Sequence, residues 1–260
     1  MKNKNILLLY KKLGHTPLES ILEFKEKNPE YRDLPMTYAG RLDPLAEGLL
    51  LCLVGDECKK KDKYLALNKE YVFEILIGFF TDTHDLLGLV RKDNLSIKER
   101  GLASLDTLLK MFVGKRLQTY PAYSSKTVGG KALHTLSRVG ILENNDLPNR
   151  EVEIFELENL GIRSLAKDQL LKEIMGKIDL VKGDFRQKEI KEVWEDSLNR
   201  SKDKDFAILK VKMSCSSGTY VRALVRDMSE AIKIPMCVYS IIRTKVGDFM
   251  GITCLRPDLG

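Results

Sequence analysis

Gly40-Arg41-Leu42-Asp43-Pro44-Leu45-Ala46-Glu47-Gly48 sets the carboxylate of Asp43 among Leu42, Pro44, Leu45 and Leu49, with a glycine at each end and an apolar run to Val54 directly after. Such a stretch reads as a turn feeding a buried strand. A carboxylate in apolar company loses hydration, so it either meets a cation or hydrogen-bond donors from elsewhere in the chain, or serves as a turn and cap residue beside its proline. The residues alone leave both readings open.

Working outward, Ile6 to Leu9 reads as a strand, and Thr16-Pro17-Leu18-Glu19 carries a capping-box pair with proline at the first helical position. Leu18, Ile21 and Leu22 share one face, which predicts a helix to about Lys27. Tyr71 to Ile77 and Ala207 to Met213 read as strands. Leu105, Leu108, Leu109 and Phe112 have helical spacing, as do Val221, Leu224, Val225 and Met228. Helices and strands are mixed without a regular βαβ repeat, which predicts an α+β domain around a mixed, largely antiparallel sheet. Residues 165–200, with Leu170, Leu171, Ile174 and Met175, then Ile190, Val193 and Trp194 across Gly183, predict a helical hairpin. We read it as an insertion at the sheet's edge, within a single domain spanning 1–260.

With 43% hydrophobic and 31% charged residues, the chain can bury a sizeable core, which excludes disorder. No apolar run reaches the ~20 residues of a membrane span, so a cytoplasmic protein without membrane attachment is expected. The five cysteines, Cys52, Cys58, Cys215, Cys237 and Cys254, form no C-x-x-C pair and are expected to be reduced thiols. His15, His84 and His134 lie far apart, and no metal is expected. No Gly-rich phosphate loop is present, and no cofactor is implied. The net charge is +6, yet residues 141–200 hold 10 basic and 14 acidic side chains, leaving +10 on the other 200. A positive body with one acidic segment suits an anionic partner such as nucleic acid, bound away from that segment.

Cys215-Ser216-Ser217-Gly218-Thr219-Tyr220-Val221-Arg222 closes a strand and opens a helix. Arg222 then falls in the first turn, where the helix dipole disfavours a cation, so it either meets another interaction or, with Arg226, solvates a helix face.

Taken together, these stretches resemble the TruB-type tRNA pseudouridine synthases. Lys11-Lys12-Leu13-Gly14-His15-Thr16 is similar to the family's K-P-x-G-x-T/S opening, and G-R-L-D-P-L-A-E-G to its G-x-L-D-P-x-A-x-G. Lys69-Glu70-Tyr71 resembles K-x-Y, Thr81-Asp82-Thr83-His84-Asp85 resembles T-D-T-x-D, and Tyr120-Pro121-Ala122-Tyr123-Ser124-Ser125-Lys126 resembles P-x-Y-S-A-x-K. Gly218-Thr219-Tyr220-Val221-Arg222 and Ile241-Ile242-Arg243-Thr244 resemble G-T-Y-I/V-R and L-R-R-T.

The resemblance implies a pseudouridine synthase fold and a cofactor-free isomerase acting on tRNA. Its target would be the T-loop uridine at position 55 in the T-arm stem-loop, flipped out of its stack at a cost of a few kcal/mol. It implies Asp43 as the catalytic aspartate, attacking either base or ribose, Arg222 as its ion-pair partner, and Tyr71 as the tyrosine packing on the base. Without the flanking motifs, Tyr71 would read as ordinary core. Lys11, Tyr38, Tyr220 and Ile241 would line the substrate pocket. Lys59, Lys60, Lys61, Lys63, Lys126 and Lys131 are candidate RNA contacts, or simply a solvated surface. The chain is expected to act as a monomer.

Several positions depart from the pattern. Tyr38 stands where the family usually has a histidine, Lys12 replaces a proline, Pro17 follows Thr16 where serine is frequent, and Ile242 replaces the first arginine of L-R-R-T. The chain is expected to lack a C-terminal RNA-binding module. The G-R-L-D form also resembles the H-R-L-D of RluA-type synthases, so another RNA, such as ribosomal RNA, is the nearest alternative substrate. A non-catalytic RNA-binding or RNA-folding protein is the alternative outside the enzyme class.

Overall fold

The computed structural model describes residues 5–93, 105–138 and 147–250. Its strands are β1 (Ile6–Lys11), β2 (Met36–Ala39), β3 (Ala46–Val54), β4 (Lys69–Ile77), β5 (Phe79–Thr81), β6 (Val90–Asp93) and β7 (Gly114–Thr119). They continue as β8 (Thr127–Val128), β9 (Lys131–Ala132), β10 (Asn149–Ala166), β11 (Asp205–Cys215), β12 (Met236–Val246) and β13 (Phe249–Met250). The helices are α1 (Pro17–Lys27), α2 (Lys61–Leu65), α3 (Leu105–Met111), α4 (Leu133–Arg138), α5 (Lys167–Asp179), α6 (Gln187–Arg200) and α7 (Val221–Ile232).

The main sheet runs β1-β3-β12-β4-β11-β10-β7, with β2 beside β3 and β13 beside β12. Every pairing in it is antiparallel except β3 with β12, in agreement with the α+β expectation. Alternation along β4 explains the layering. Tyr71, Phe73, Ile75 and Ile77 face one side, where with Leu209, Val211 and Met213 of β11 they pack under α3 and α7. Leu76 faces the other side, with Ile208, Cys237 and Tyr239. Helix α1 carries the predicted capping box, both bonds of it formed, and ends at Lys27 as its sequence predicts.

The helical hairpin forms as α5 and α6, but not at the sheet's edge. Leu170, Ile174, Ile178, Ile190, Trp194 and Leu198 are buried against Leu76, Phe79, Ile208 and Tyr239, so the hairpin covers the sheet's second face. The physical reason is that this face is apolar and would otherwise meet water over several strands. The strand leading into it, β10, runs 18 residues, and two register shifts, between Ile154 and Glu156 and between Asn159 and Gly161, break its alternation.

Cys52, Cys215 and Cys237 are buried free thiols and Cys58 a partly buried one, while Cys254 lies outside the described residues. No described helix is long and apolar enough to cross a membrane.

Candidate active site

The turn that opens the sequence reading is held from beneath by two buried cations. Lys11 Nζ donates to the carbonyls of Ala46 at 2.6 Å, Lys12 at 3.2 Å and Pro44 at 3.4 Å. Arg243, on β12, donates through Nε to Leu49 O at 2.8 Å and through Nη2 to Gly40 O at 3.1 Å. Between these anchors Gly48 has φ +109°, and an added Cβ would stand 2.5 Å from the carbonyl oxygen of Arg243, so only glycine lets β3 approach β12 here. Burial lowers Lys11 to about 8, opposed by the nearby carboxylates of Asp43 and Glu47.

Above the turn, Asp43 meets Arg222 in a bidentate pair, Nε to Oδ2 at 2.7 Å and Nη2 to Oδ1 at 2.9 Å. Two planar groups matched in this way are fixed in orientation as well as charge. The remaining edges of the guanidinium donate to Thr83 O at 3.1 Å and Tyr123 O at 3.2 Å, and Asp85 Oδ2 lies 3.6 Å from Nε. The arginine side chain is 4% exposed and the aspartate side chain 28%, so the carboxylate still faces the cleft. Burial alone would lower Arg222, but the Asp43 and Asp85 carboxylates hold it above its usual value. Burial pushes Asp85 up, against the pull of Arg222 and of its hydrogen bond from Thr83 Oγ1 at 2.6 Å.

Asp43 lies between two hollows. One, of about 440 Å³, is walled by Tyr71, Tyr220, Ile241, Lys69, Arg150 and Arg243. The other, of about 520 Å³, is walled by Tyr38, Tyr123, His134, Arg138, Phe185 and Arg186. Both fall in the size range of small-ligand pockets. Burial raises the Tyr71 phenol to about 12, so it keeps its proton at neutral pH. Burial and the Asp43 carboxylate raise Tyr220 as well.

Residues 34–183 match the model of the TruB family pseudouridylate synthase (N terminal domain). The chain belongs to the TruB family. The tRNA pseudouridine synthase B of Borreliella afzelii (strain PKo) is 28% identical over 243 residues, covering 94% of this chain and 70% of that protein. The protein of the same name from Endomicrobium trichonymphae is 30% identical over 245 residues, covering 94% and 85%. Among solved structures, a Cbf5-Nop10-Gar1 complex superposes with a TM-score of 0.55 at 16% identity, over 95% of this chain and 50% of that one. This chain therefore spans half the length of that solved chain, and the likeness is one of fold, the pseudouridine synthase fold.

Of the residues marked by the TruB resemblance, Asp43, Tyr71, Tyr220 and Ile241 line one hollow, and Arg222 reaches it through its pair with Asp43. Arg222 does not solvate a helix face; only Arg226 is partly exposed, paired with Asp227. Lys11 is not on either wall. It is fully buried beneath the turn, because its ammonium is drawn to the turn's carbonyls. Tyr38 lines the second hollow rather than the Tyr71 cleft, its hydroxyl accepting from Arg41 Nη2 at 3.1 Å and its ring 5.3 Å from Lys61 Nζ. Lys59 and Lys60 are paired with Asp56 and Glu57 on their own turn.

Gln118 is absent from the sequence reading. Buried on β7, it accepts from Tyr220 N at 2.8 Å and donates to Tyr220 O at 3.2 Å, holding the residue that caps α7. A lone glutamine in a charged strand carries no signal for this. Thr83 and Asp85 meet Arg222 from the T-D-T-x-D stretch, whose spacing is the sequence's sign of them. The hairpin's body lies behind the sheet, away from the cleft, but its turn does not: Asp184, Phe185 and Arg186 wall the second hollow.

Proposed function

We propose that this chain isomerises a uridine of tRNA, the T-loop residue at position 55, to pseudouridine. The observation that carries the reading is Asp43, held by Arg222 in a bidentate pair and lining a cleft with Tyr71, Tyr220 and Ile241. The relatives named tRNA pseudouridine synthase B support the tRNA substrate. In the reaction the N1–C1′ bond breaks and a C5–C1′ bond forms. The proton on C5 leaves and N1 gains one, so composition and oxidation state are unchanged.

In this reading Asp43 is the nucleophile. Arg222 fixes its orientation and supplies a charge that does not titrate. Tyr71 offers its ring to the flipped base, a contact worth ~1–3 kcal/mol by alanine substitution, and its protonated hydroxyl to a reacting position. A binding protein has no need of a desolvated ion pair that leaves one carboxylate facing the ligand.

The test uses tRNA transcript tritiated at uridine C5. Wild-type protein should release label from position 55, and Asp43→Asn should release none. Equal release by both removes the catalytic assignment, tight binding without release favours an RNA-binding protein, and modification confined to ribosomal RNA overturns the tRNA reading.

A further inference from the structure

The cleft beside Asp43 holds more positive charge than its own chemistry requires. Asp43 is matched by Arg222 and the exposed Asp62 shares the lining, yet the hollow also carries Lys69, Arg150 and Arg243, and among the described residues none of the three has a carboxylate at ion-pair distance. Lys69, 7% exposed, donates to the carbonyls of Leu65 and Leu67. Arg243, 1% exposed, donates to the carbonyls of Leu49, Gly40 and Arg41 and also neighbours the Tyr71 hydroxyl. Arg150 is exposed at the rim and donates from Nη2 to Ser217 Oγ at 3.2 Å. Each cation retains N–H groups beyond those bonds.

The three side chains share the lining of this hollow, and two glycines make room for them. A Cβ on Gly40 would stand 3.3 Å from Arg243 Nη1 and 3.9 Å from Lys69 Cε, while one on Gly218 would stand 2.3 Å from the guanidinium carbon of Arg150. Burial, with the charges of Arg243 and Arg150 nearby, lowers Lys69 to about 8, which places its ammonium in the field of the other two. Cations desolvated together without a counter-charge are costly to hold, and a bound anion relieves that cost. Uracil and ribose are neutral at pH 7, whereas each linkage flanking a target nucleotide carries one negative charge.

We propose that Lys69, Arg243 and Arg150 form a phosphodiester-binding subsite on the wall of the Tyr71 cleft, over Gly40, which holds a backbone phosphate flanking the flipped nucleotide while Asp43 and Tyr71 engage its sugar and base. The assignment rests on the uridine reading given above. It makes Arg150 a positioning residue that acts through the substrate's backbone rather than on the reacting atoms.

The experiment measures stem-loop affinity by fluorescence anisotropy, a readout independent of turnover, for RNAs carrying one neutral methylphosphonate either 5′ or 3′ of the target uridine. With the native stem-loop, Arg150→Ala should weaken binding about tenfold and Arg150→Lys much less. One methylphosphonate position should weaken wild-type binding to a similar degree and cost Arg150→Ala nothing further, whereas the other should add to the mutation in full. Losses that add at both positions, or an Arg150→Ala protein that binds the native stem-loop like wild type, overturn the subsite. Label release by wild-type protein is scored in parallel. Its absence with the non-additivity intact would refute the isomerase reading and leave the phosphate contact standing.

Discussion

A guanidinium as buried as that of Arg222 is stable because every edge of it meets oxygen: both atoms of the Asp43 carboxylate, two carbonyls, and Asp85 behind. The carbonyls come from Thr83 and Tyr123, which belong to two different loops, so the arginine locks those loops as well as orienting the aspartate. A lysine would keep the charge but could not span these acceptors with its single nitrogen. Arg222→Lys should therefore lower kcat ~10²-fold, the range for loss of a preorganised donor, with KM changed far less. Its thermal midpoint should fall too, since the carbonyls of Thr83 and Tyr123 lose their donors. Steady-state label release and a melting curve on the same preparation check both, and an unaltered kcat would show that Arg222 contributes charge alone.

At the level of elements, the hairpin α5–α6 places an ionisable group beneath the sheet's second face. Lys177 of α5 lies 3.3 Å from the centre of the Tyr239 ring and donates to Tyr239 O at 3.0 Å. Burial lowers it from 10.5 to about 8, against the opposing pull of Glu74 and Glu173. Below pH 8 the lysine is charged in both folded and unfolded chains and the burial cost is carried in full. Between pH 8 and 10.5 the folded chain gives up this proton while the unfolded chain keeps it, so this group's contribution to stability rises with pH. Lys177→Met lacks that rise, and Lys11 and Lys69 titrate alike in both proteins and cancel. Urea unfolding at pH 7 and pH 10 should show wild type gaining on the variant by up to about 3 kcal/mol. A difference independent of pH would mean that Lys177 is not desolvated as its position implies. The hairpin was legible in the sequence because two apolar stripes at helical spacing flank Gly183, and α1 because its cap is local. Where the hairpin sits was not legible, since that depends on which sheet face is left bare. Strand β10 is not legible in the sequence, because two register shifts and an exposed face erase its alternation. At the site, Asp43, Tyr71 and Arg222 were readable from motifs, whereas Gln118 and Arg150 make contacts that form only once distant segments align.

Across the whole molecule, the sheet separates the Tyr71 cleft from the body of the hairpin. The cleft opens beside Tyr71 and Ile241, which belong to the core under α3 and α7, while α5 and α6 pack against the opposite face. Glu192 and Glu195 of α6 are exposed, and in the chain at large residues 141–200 balance to −4 against +10 elsewhere. Charges on the outer surface of α6 are separated from the cleft by a helix and a sheet. Layers pack at about 10 Å, so that path exceeds the Debye length of about 8 Å at physiological ionic strength. Reversing them should therefore leave RNA recognition almost untouched at 0.15 M salt and help it only when screening is relaxed. The cleft side behaves differently: Lys126 is exposed, 5.4 Å from the centre of the Tyr120 ring, next to Ser125, which lines both hollows. A lysine there that neutralises one phosphate releases its counterion, so Lys126→Ala should reduce the slope of log affinity against log salt by roughly 0.7–0.9. The paired measurement is stem-loop affinity from 20 to 300 mM salt for wild type, Lys126→Ala and a Glu192→Lys, Glu195→Lys variant. The double variant should match wild type within twofold at 0.15 M and exceed it only at the lowest salt, with Lys126→Ala weaker throughout. If reversing the two glutamates altered affinity at 0.15 M as much as losing Lys126, the RNA would have to pass over α6, and the sheet would not divide the molecule into a binding side and a supporting side.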